Sequence, residues 1–420
     1  MATIEKLRFL NKDQISRIAD RYGTPVFAYD ERLLIERARE AKDFEAPFGL
    51  TVRYAMKANP NAALVRLFDG QGLHIDASSG FEVERALQLG IPAGHIMLTS
   101  QELPGNLTEL VGHGALFNAT SLHQLEVYGQ TFPGSEVSVR INPGLGSGGT
   151  NRTNTGGPAS SFGIWHEYID QAQSLAKRYR LKITKIHTHI GSGSDPAVWQ
   201  KVVGMGLAIV DQFPDVTVLN LGGGYKVARM SDETAIDLPA VSRSVAKTLR
   251  AFAERTGRKL HLEIEPGSYL VANAGALIAR IQDIVDTGPS GYRFLKLDTG
   301  MTELMRPSLY GSQHPIVVIG SQPGRKEQYV VVGHCCESGD LLTPQPANPE
   351  MLATRLLEAA KIDDLVVIEG VGAYGSAMSA QGYNSFPAAA AVLVASDDNL
   401  RLIRRRQTLA ELTATEVQLI

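Results

Sequence analysis

The chain has 420 residues, 44% of them apolar and 20% charged, with a formal net charge of −3. That composition is ordinary for a globular protein and is long enough for two domains. The near-neutral balance argues against a nucleic-acid or membrane-surface partner. No apolar stretch reaches the ~18 residues of a membrane helix, and the start Met-Ala-Thr-Ile-Glu-Lys has no signal-peptide core. The two cysteines, Cys335 and Cys336, are neighbours and cannot build a disulfide framework, so a reducing cytoplasm is expected.

In chain order, Thr24–Tyr29 is β-like and is expected to pair with a later domain. Eight apolar runs then follow: Val52–Ala58, Leu73–Ser78, Ile96–Ser100, Leu116–Thr120, Val137–Pro143, Ile183–Gly191, Val218–Gly224 and Leu260–Gly267. Helical spacing fills gaps between them at Phe81–Leu89, Leu122–Tyr128, Tyr168–Tyr179 and Ile236–Phe252. Eightfold strand–helix alternation predicts an α/β fold with a (β/α)8 TIM-type barrel over residues 26–272. Continuous apolar strands suit a parallel sheet covered on both faces. A doubly wound sheet is the alternative, but it leaves unexplained why chemistry recurs at so many strand ends. Beyond 272 the pattern changes to strands at Ala276–Thr287, Arg293–Asp298, Ile316–Ile319, Tyr329–Cys336, Leu365–Glu369, Ala391–Ala395 and Leu400–Arg406, with one helix at Pro349–Ala360. Residues 1–25 and 273–420 are therefore expected to form a mostly-β domain. The basic run Arg401–Arg406 reads as a solvated or ion-paired strand face.

Catalytic groups of such barrels come from the C-terminal ends of several strands. Those ends supply Lys57, Asp76, Arg140, Asn142, His189, Ser192, Gly222–Gly224 and Glu265. A lysine ending a buried strand is a candidate imine former, because desolvation lowers the cost of losing its proton. Gly222-Gly223-Gly224 exposes backbone N–H groups to a phosphate or makes a plain tight turn. Its spacing is not the dinucleotide fingerprint. His187 and His189 share a strand face. No third ligand accompanies them, so no metal is expected, and an imidazole stacked on a planar ring with Ser192 on a phosphate is the functional reading. Pro266 and Gly267 fix the angle of the Glu265 carboxylate, which suits either a protonated heterocyclic nitrogen or an arginine such as Arg140. In the β domain, Cys336-Glu337-Ser338-Gly339-Asp340 combines a thiol with two carboxylates. Tyr374 is flanked by glycines, and Arg306 with Tyr310 fits a carboxylate.

These motifs together, Tyr-Ala-Met-Lys57-Ala-Asn, His-Thr-His189-Ile-Gly-Ser-Gly, Leu-Gly-Gly-Gly224, Glu265-Pro-Gly, Arg306-Pro-Ser-Leu-Tyr310-Gly, Cys336-Glu-Ser-Gly-Asp and Gly-Ala-Tyr374-Gly, resemble the fold-type III pyridoxal-phosphate decarboxylases (alanine racemase/ornithine decarboxylase-like), most closely the bacterial diaminopimelate decarboxylases. Asn154-Thr-Gly-Gly and the tail Arg-Leu-Ile-Arg-Arg-Arg-Gln-Thr-Leu add to the likeness. The resemblance spans essentially the whole chain. It implies pyridoxal 5'-phosphate carried on Lys57, Asp76 near that amine, His189 on the ring and Glu265 at the ring nitrogen. Ser192, Gly223, Gly224 and Tyr374 would hold the phosphate, with Pro266, Gly267 and Ser268 lining the cofactor. Cys336 would protonate Cα from a partner subunit, so the implied unit is a homodimer with shared sites. Arg306, Tyr310, Glu337, Tyr374 and Ser268 would meet the substrate. The implied reaction is decarboxylation of meso-2,6-diaminopimelate to L-lysine, the last step of lysine biosynthesis. One departure bears on substrate. The family reads Glu-Pro-Gly-Arg where this chain has Ser268, and the lost cation makes D- or L-lysine or ornithine the alternative substrate, with Glu337 or Asp340 meeting a terminal ammonium. A non-catalytic binding protein or a racemase on the same fold fits less well. The first has no need for Lys57, His189, Glu265 and Cys336 together, and the second none for the Cys-Glu-Ser-Gly-Asp turn.

Overall fold

A computed structural model describes residues 4–147, 154–189, 191–320 and 322–417. Ile190, inside one expected strand, and Met1-Ala-Thr of the expected leaderless start lie outside them. The chain divides into two compact units. One comprises residues 35–227 and 234–270, the other residues 1–34, 228–233 and 271–420.

The first unit is the barrel. Its strands are β1 (Leu50–Ala55), β2 (His74–Ala77), β3 (Ile96–Leu98), β4 (Leu116–Ala119), β5 (Glu136–Asn142), β6 (Lys182–His187), β7 (Val218–Asn220) and β8 (His261–Ile264). Each pairs in parallel with the next, and β8 pairs back with β1 at Leu262↔Leu50, closing the cylinder. The helices begin where capping chemistry dictates. Ser79 and Ser121 accept from Glu82 N and Gln124 N. Asp195 precedes a helix with proline in its first turn, as does Asp237. A charged layer lies inside the cylinder: Arg53 from β1 donates twice to Glu263 of β8, at 3.1 and 3.0 Å, and Lys185 of β6 reaches the same carboxylate at 2.7 Å. The side chain of Asn142, a candidate site residue by sequence, instead ties down the loop after β5, bonding Gly157 N and O and Gly144 N.

The second unit is a nine-stranded sheet built around the long strand Gly275–Asp286. Val26–Asp30 pairs antiparallel with it and parallel with Ala390–Val394. This pairing moves the boundary expected at residue 26, so residues up to 34 join the β-rich unit. The helix Lys12–Tyr22, opened by an Asn11/Gln14 capping box, packs Ile15, Ile18 and Ala19 on Val26, Ile278, Val367 and Val392. The helix expected at Pro349–Ala360 does not form. Asn348–Leu352 and Arg355–Ala359 are strands, the latter paired antiparallel with Gln322–Val332. Leu, Met, Ala and Glu favour a helix locally, and the ladder overrides that preference. The strand expected to run to Cys336 stops at Val332. A Cβ on Gly333 would meet the buried Asp340 carboxylate at 2.1 Å, and there the chain turns. In the basic run, Arg401 pairs with Asp397 and Arg405 with Glu411, while Arg404 and Arg406 donate to backbone carbonyls.

Candidate active site

In the barrel unit the sequence-predicted groups gather at the C-terminal ends of the strands. β1 ends at Ala55, whose N–H donates to Pro266 O at 3.2 Å, and Lys57 sits on the short 3-10 turn Met56–Ala58 that follows. Its amine lies 3.3 Å from Asp76 Oδ2 at the end of β2 and 3.3 Å from Ser78 Oγ. The Lys57 side chain is 45% exposed, beside the buried Asp76.

Behind Lys57 is a connected polar network. Ser138 donates to Asn118 Oδ1 at 2.8 Å, which turns Asn118 Nδ2 toward His187 Nδ1 at 2.7 Å. His187 Nε2 lies 3.3 Å from Glu265 Oε2, and Asn220 donates to Glu265 Oε1 at 2.6 Å. The side chain that faces Glu265 is thus His187, while the Arg140 guanidinium lies over the Phe162 ring. Burial by itself would raise the Glu265 carboxyl, but His187, Lys57 and Asn220 together hold it well below the carboxylate range. Asp76 goes the other way: burial and then the Glu265 charge raise it, against the pull of Lys57. Two carboxyls with oppositely shifted affinities mark a site able to hold one charge and one proton.

His189 is half-buried. Burial, then the Arg140, His187 and Lys57 charges, keep its ring neutral, and Nδ1 has no hydrogen-bond partner among the described residues. It packs on the glycine turn, where a Cβ on Gly222 would come within 2.7 Å of His189 Cβ. A Cβ on Gly224 (φ +98°) would overlap Gly191 O at 1.7 Å, and one on Gly223 would meet Glu265 O at 2.4 Å. Only glycine fits there. Gly193 N donates to Gly224 O and Ser147 Oγ to Ser192 O, which brings Ser192 beside this cradle. Pro266, Gly267 and Ser268 follow Glu265 directly, and a Cβ on Gly267 would stand 3.2 Å from Ala58 Cβ and 3.3 Å from Ala55 Cβ. Sequence reasoning missed Asn118, Asn220 and Tyr225, whose hydroxyl is buried without a partner. A lone asparagine inside an apolar strand was the available signal for the first two.

In the β-rich unit, Asp340 is buried and accepts from Met301 N (2.6 Å) and Cys335 N (2.9 Å). It builds the turn, so it is not available to a substrate ammonium. Cys336 and Glu337 are exposed on that turn, with Cys336 N donating to Asn384 Oδ1. Cys335 differs from its neighbour: burial, then Asp340, push its thiol up to about 12. Elsewhere in the unit, Arg306 opens a short helix ending at Tyr310, and its Cζ lies 5.6 Å from the Tyr310 ring and 5.8 Å from the Tyr374 ring. Arg306 Nε is shielded from solvent and has no hydrogen-bond partner among the described residues.

An amine beside a carboxylate, a neutral half-buried imidazole whose shielded nitrogen has no partner among the described residues, an ionised buried carboxylate and a glycine cradle fit pyridoxal phosphate. The comparisons with known proteins agree. Residues 33–272 match the family model of the pyridoxal-dependent decarboxylase, pyridoxal binding domain. A diaminopimelate decarboxylase of Escherichia coli K12 is 36% identical over 97% of both chains. A crystal structure of diaminopimelate decarboxylase superimposes with a TM-score of 0.88 at 35% identity, covering 95% of this chain and 94% of that one. The Helicobacter pylori diaminopimelate decarboxylase complexed with L-lysine gives 0.83 at 27% identity, over 95% and 98%. The chain is a pyridoxal-phosphate-dependent carboxy-lyase and belongs to the pyridoxal-dependent decarboxylase family.

Proposed function

We propose that this enzyme decarboxylates meso-2,6-diaminopimelate to L-lysine and carbon dioxide. The observation that carries the reading is Arg306, a shielded guanidinium between two phenols that lacks an ion-pair partner among the described residues. It suits a substrate that brings a second carboxylate. The activity named for the full-length relatives supports the same reading.

Lys57 would carry the cofactor, with Asp76 beside the amine. His189 would lie against the ring, and Ser192, Gly223, Gly224 and Tyr374 would bind the phosphate, next to Pro266, Gly267 and Ser268. When bound, pyridoxal phosphate supplies an electron sink for the pair left on Cα as carbon dioxide departs. Glu265, held ionised by His187 and Asn220, keeps a proton on the ring nitrogen. The Cys336 thiol delivers a proton to Cα and recovers one from water. Arg306, Tyr310, Glu337, Tyr374 and Ser268 receive the distal end. The thiol comes from the second subunit of a cytoplasmic homodimer. No helix among the described residues is long and apolar enough to cross a membrane.

Carbon dioxide release from meso-diaminopimelate, L-lysine, D-lysine and L-ornithine tests the proposal. Diaminopimelate is expected to have the highest kcat/KM. Negligible turnover of it beside good turnover of ornithine would overturn the reading and favour the alternative that Ser268 raises, a decarboxylase of another basic amino acid.

A further inference from the structure

The resemblance implies an arginine at position 268, where this chain has serine. Residues 228–233 belong to the β-rich unit although the chain on either side belongs to the barrel unit. The excursion is tightly fixed. Arg229 N and Met230 N donate to Glu233 Oε2 at 2.6 and 3.2 Å, Asn273 Nδ2 donates to Ala228 O at 3.0 Å, and Arg8 donates to Arg229 O. The Arg229 side chain runs along Gly370, with Nε donating to Gly370 O at 3.0 Å. A Cβ on Gly370 would stand 3.1 Å from Arg229 Cγ. Gly370 leads directly into the turn carrying Tyr374, the residue whose ring faces Arg306.

Two guanidiniums therefore converge on one turn. Arg229 Nη2 and Arg306 Nε are both shielded from solvent without a hydrogen-bond partner among the described residues. Glu233 attracts both guanidiniums, but its Oε2 is taken up by two backbone N–H groups. Burial first, then repulsion from Arg306, hold the Arg229 guanidinium down at about 9. Shielded like charges without an ion pair among the described residues are costly, and an anion between them lowers the cost. A planar carboxylate matches the two forks.

We propose that Arg229 acts with Arg306 to bind the distal carboxylate of the substrate, supplying the charge that position 268 lacks. This specificity role rests on the diaminopimelate reading. L-Lysine retains the distal carboxylate and cadaverine lacks it, so equilibrium titration of the holoenzyme with each ligand, followed by calorimetry, isolates the contact. Arg229→Gln is expected to weaken L-lysine by roughly 10–100-fold, the loss of a charge-assisted bond, and cadaverine by less than twofold. Arg229→Lys is expected to keep most of the L-lysine affinity. Unchanged L-lysine binding, equal weakening of both ligands, or loss of pyridoxal phosphate from Arg229→Gln overturns the proposal; the last would place Arg229 on the phosphate. Arg306→Gln separates the two levels. If it abolishes the preference for L-lysine while Arg229→Gln does not, only the role of Arg229 fails. If the unaltered enzyme shows no preference for L-lysine, the diaminopimelate reading fails with it.

Discussion

Replacing Asn220 by alanine tests the wiring behind Lys57. The Asn220 carboxamide donates to Glu265 Oε1 at 2.6 Å and Glu263 Oε2 at 3.2 Å, and accepts from Gly222 N at 2.8 Å. Alanine leaves the buried Glu265 carboxylate one donor short and the N–H of the glycine turn unpaired. A hydrogen bond to a charged group contributes about 1.5–3 kcal/mol. The Glu263 and Gly222 losses fall mainly on stability. The Glu265 loss, about 2 kcal/mol, falls on catalysis and corresponds to roughly 30-fold in kcat/KM. The sign in pH is also fixed. Asn220 is one of the groups that lower Glu265, so its removal lets burial raise that carboxyl. Activity that needs ionised Glu265 is then lost at a higher pH than in the parent enzyme. Carbon dioxide release at saturating cofactor, measured across pH, reads both effects. A variant within twofold of the parent, with an unmoved acid limb, would refute the assignment.

Burial favours the neutral form of Glu263, but Arg53 and Lys185 hold its carboxyl at about 2, against 4.5 in the unfolded chain. A depressed carboxyl stabilises the fold above its unfolded value, here by about 3 kcal/mol, and that contribution is lost as pH falls from about 4.5 to about 2. Glu263→Gln strands two buried cations and is expected to cost about 3–5 kcal/mol at pH 7, with a flatter pH dependence below 4.5. Urea-unfolding midpoints at pH 7 and 3 check both, and equal midpoints at pH 7 would count against the charged layer. Gly224→Ala drives a Cβ into Gly191 O at 1.7 Å. The purified variant is expected to lose its cofactor absorbance near ~420 nm, and full retention would remove the cradle from the account.

Most of the barrel was legible because its strands are buried on both faces and read as largely apolar runs, most of them stopping at a candidate site residue. Lys57, Asp76, His189 and Glu265 stand out as polar residues where such runs end. Asn118 and Asn220 did not, since a lone asparagine within Leu-Phe-Asn-Ala or Val-Leu-Asn-Leu gives no period. Arg53, Lys185 and Glu263 interrupt such runs without marking a site, and they meet inside the cylinder. Pro349–Ala360 misled because local preference favours a helix and pairing with Gln322–Val332 decides otherwise. Arg229 was invisible because its importance comes from contacts with Gly370, far along the chain.

The most direct test is to purify Lys57→Ala and record its visible spectrum and its carbon dioxide release from meso-diaminopimelate. The account expects no covalently held pyridoxal phosphate, so borohydride fixes none, and turnover falls by several orders of magnitude. Undiminished turnover from that variant would contradict the account at its base.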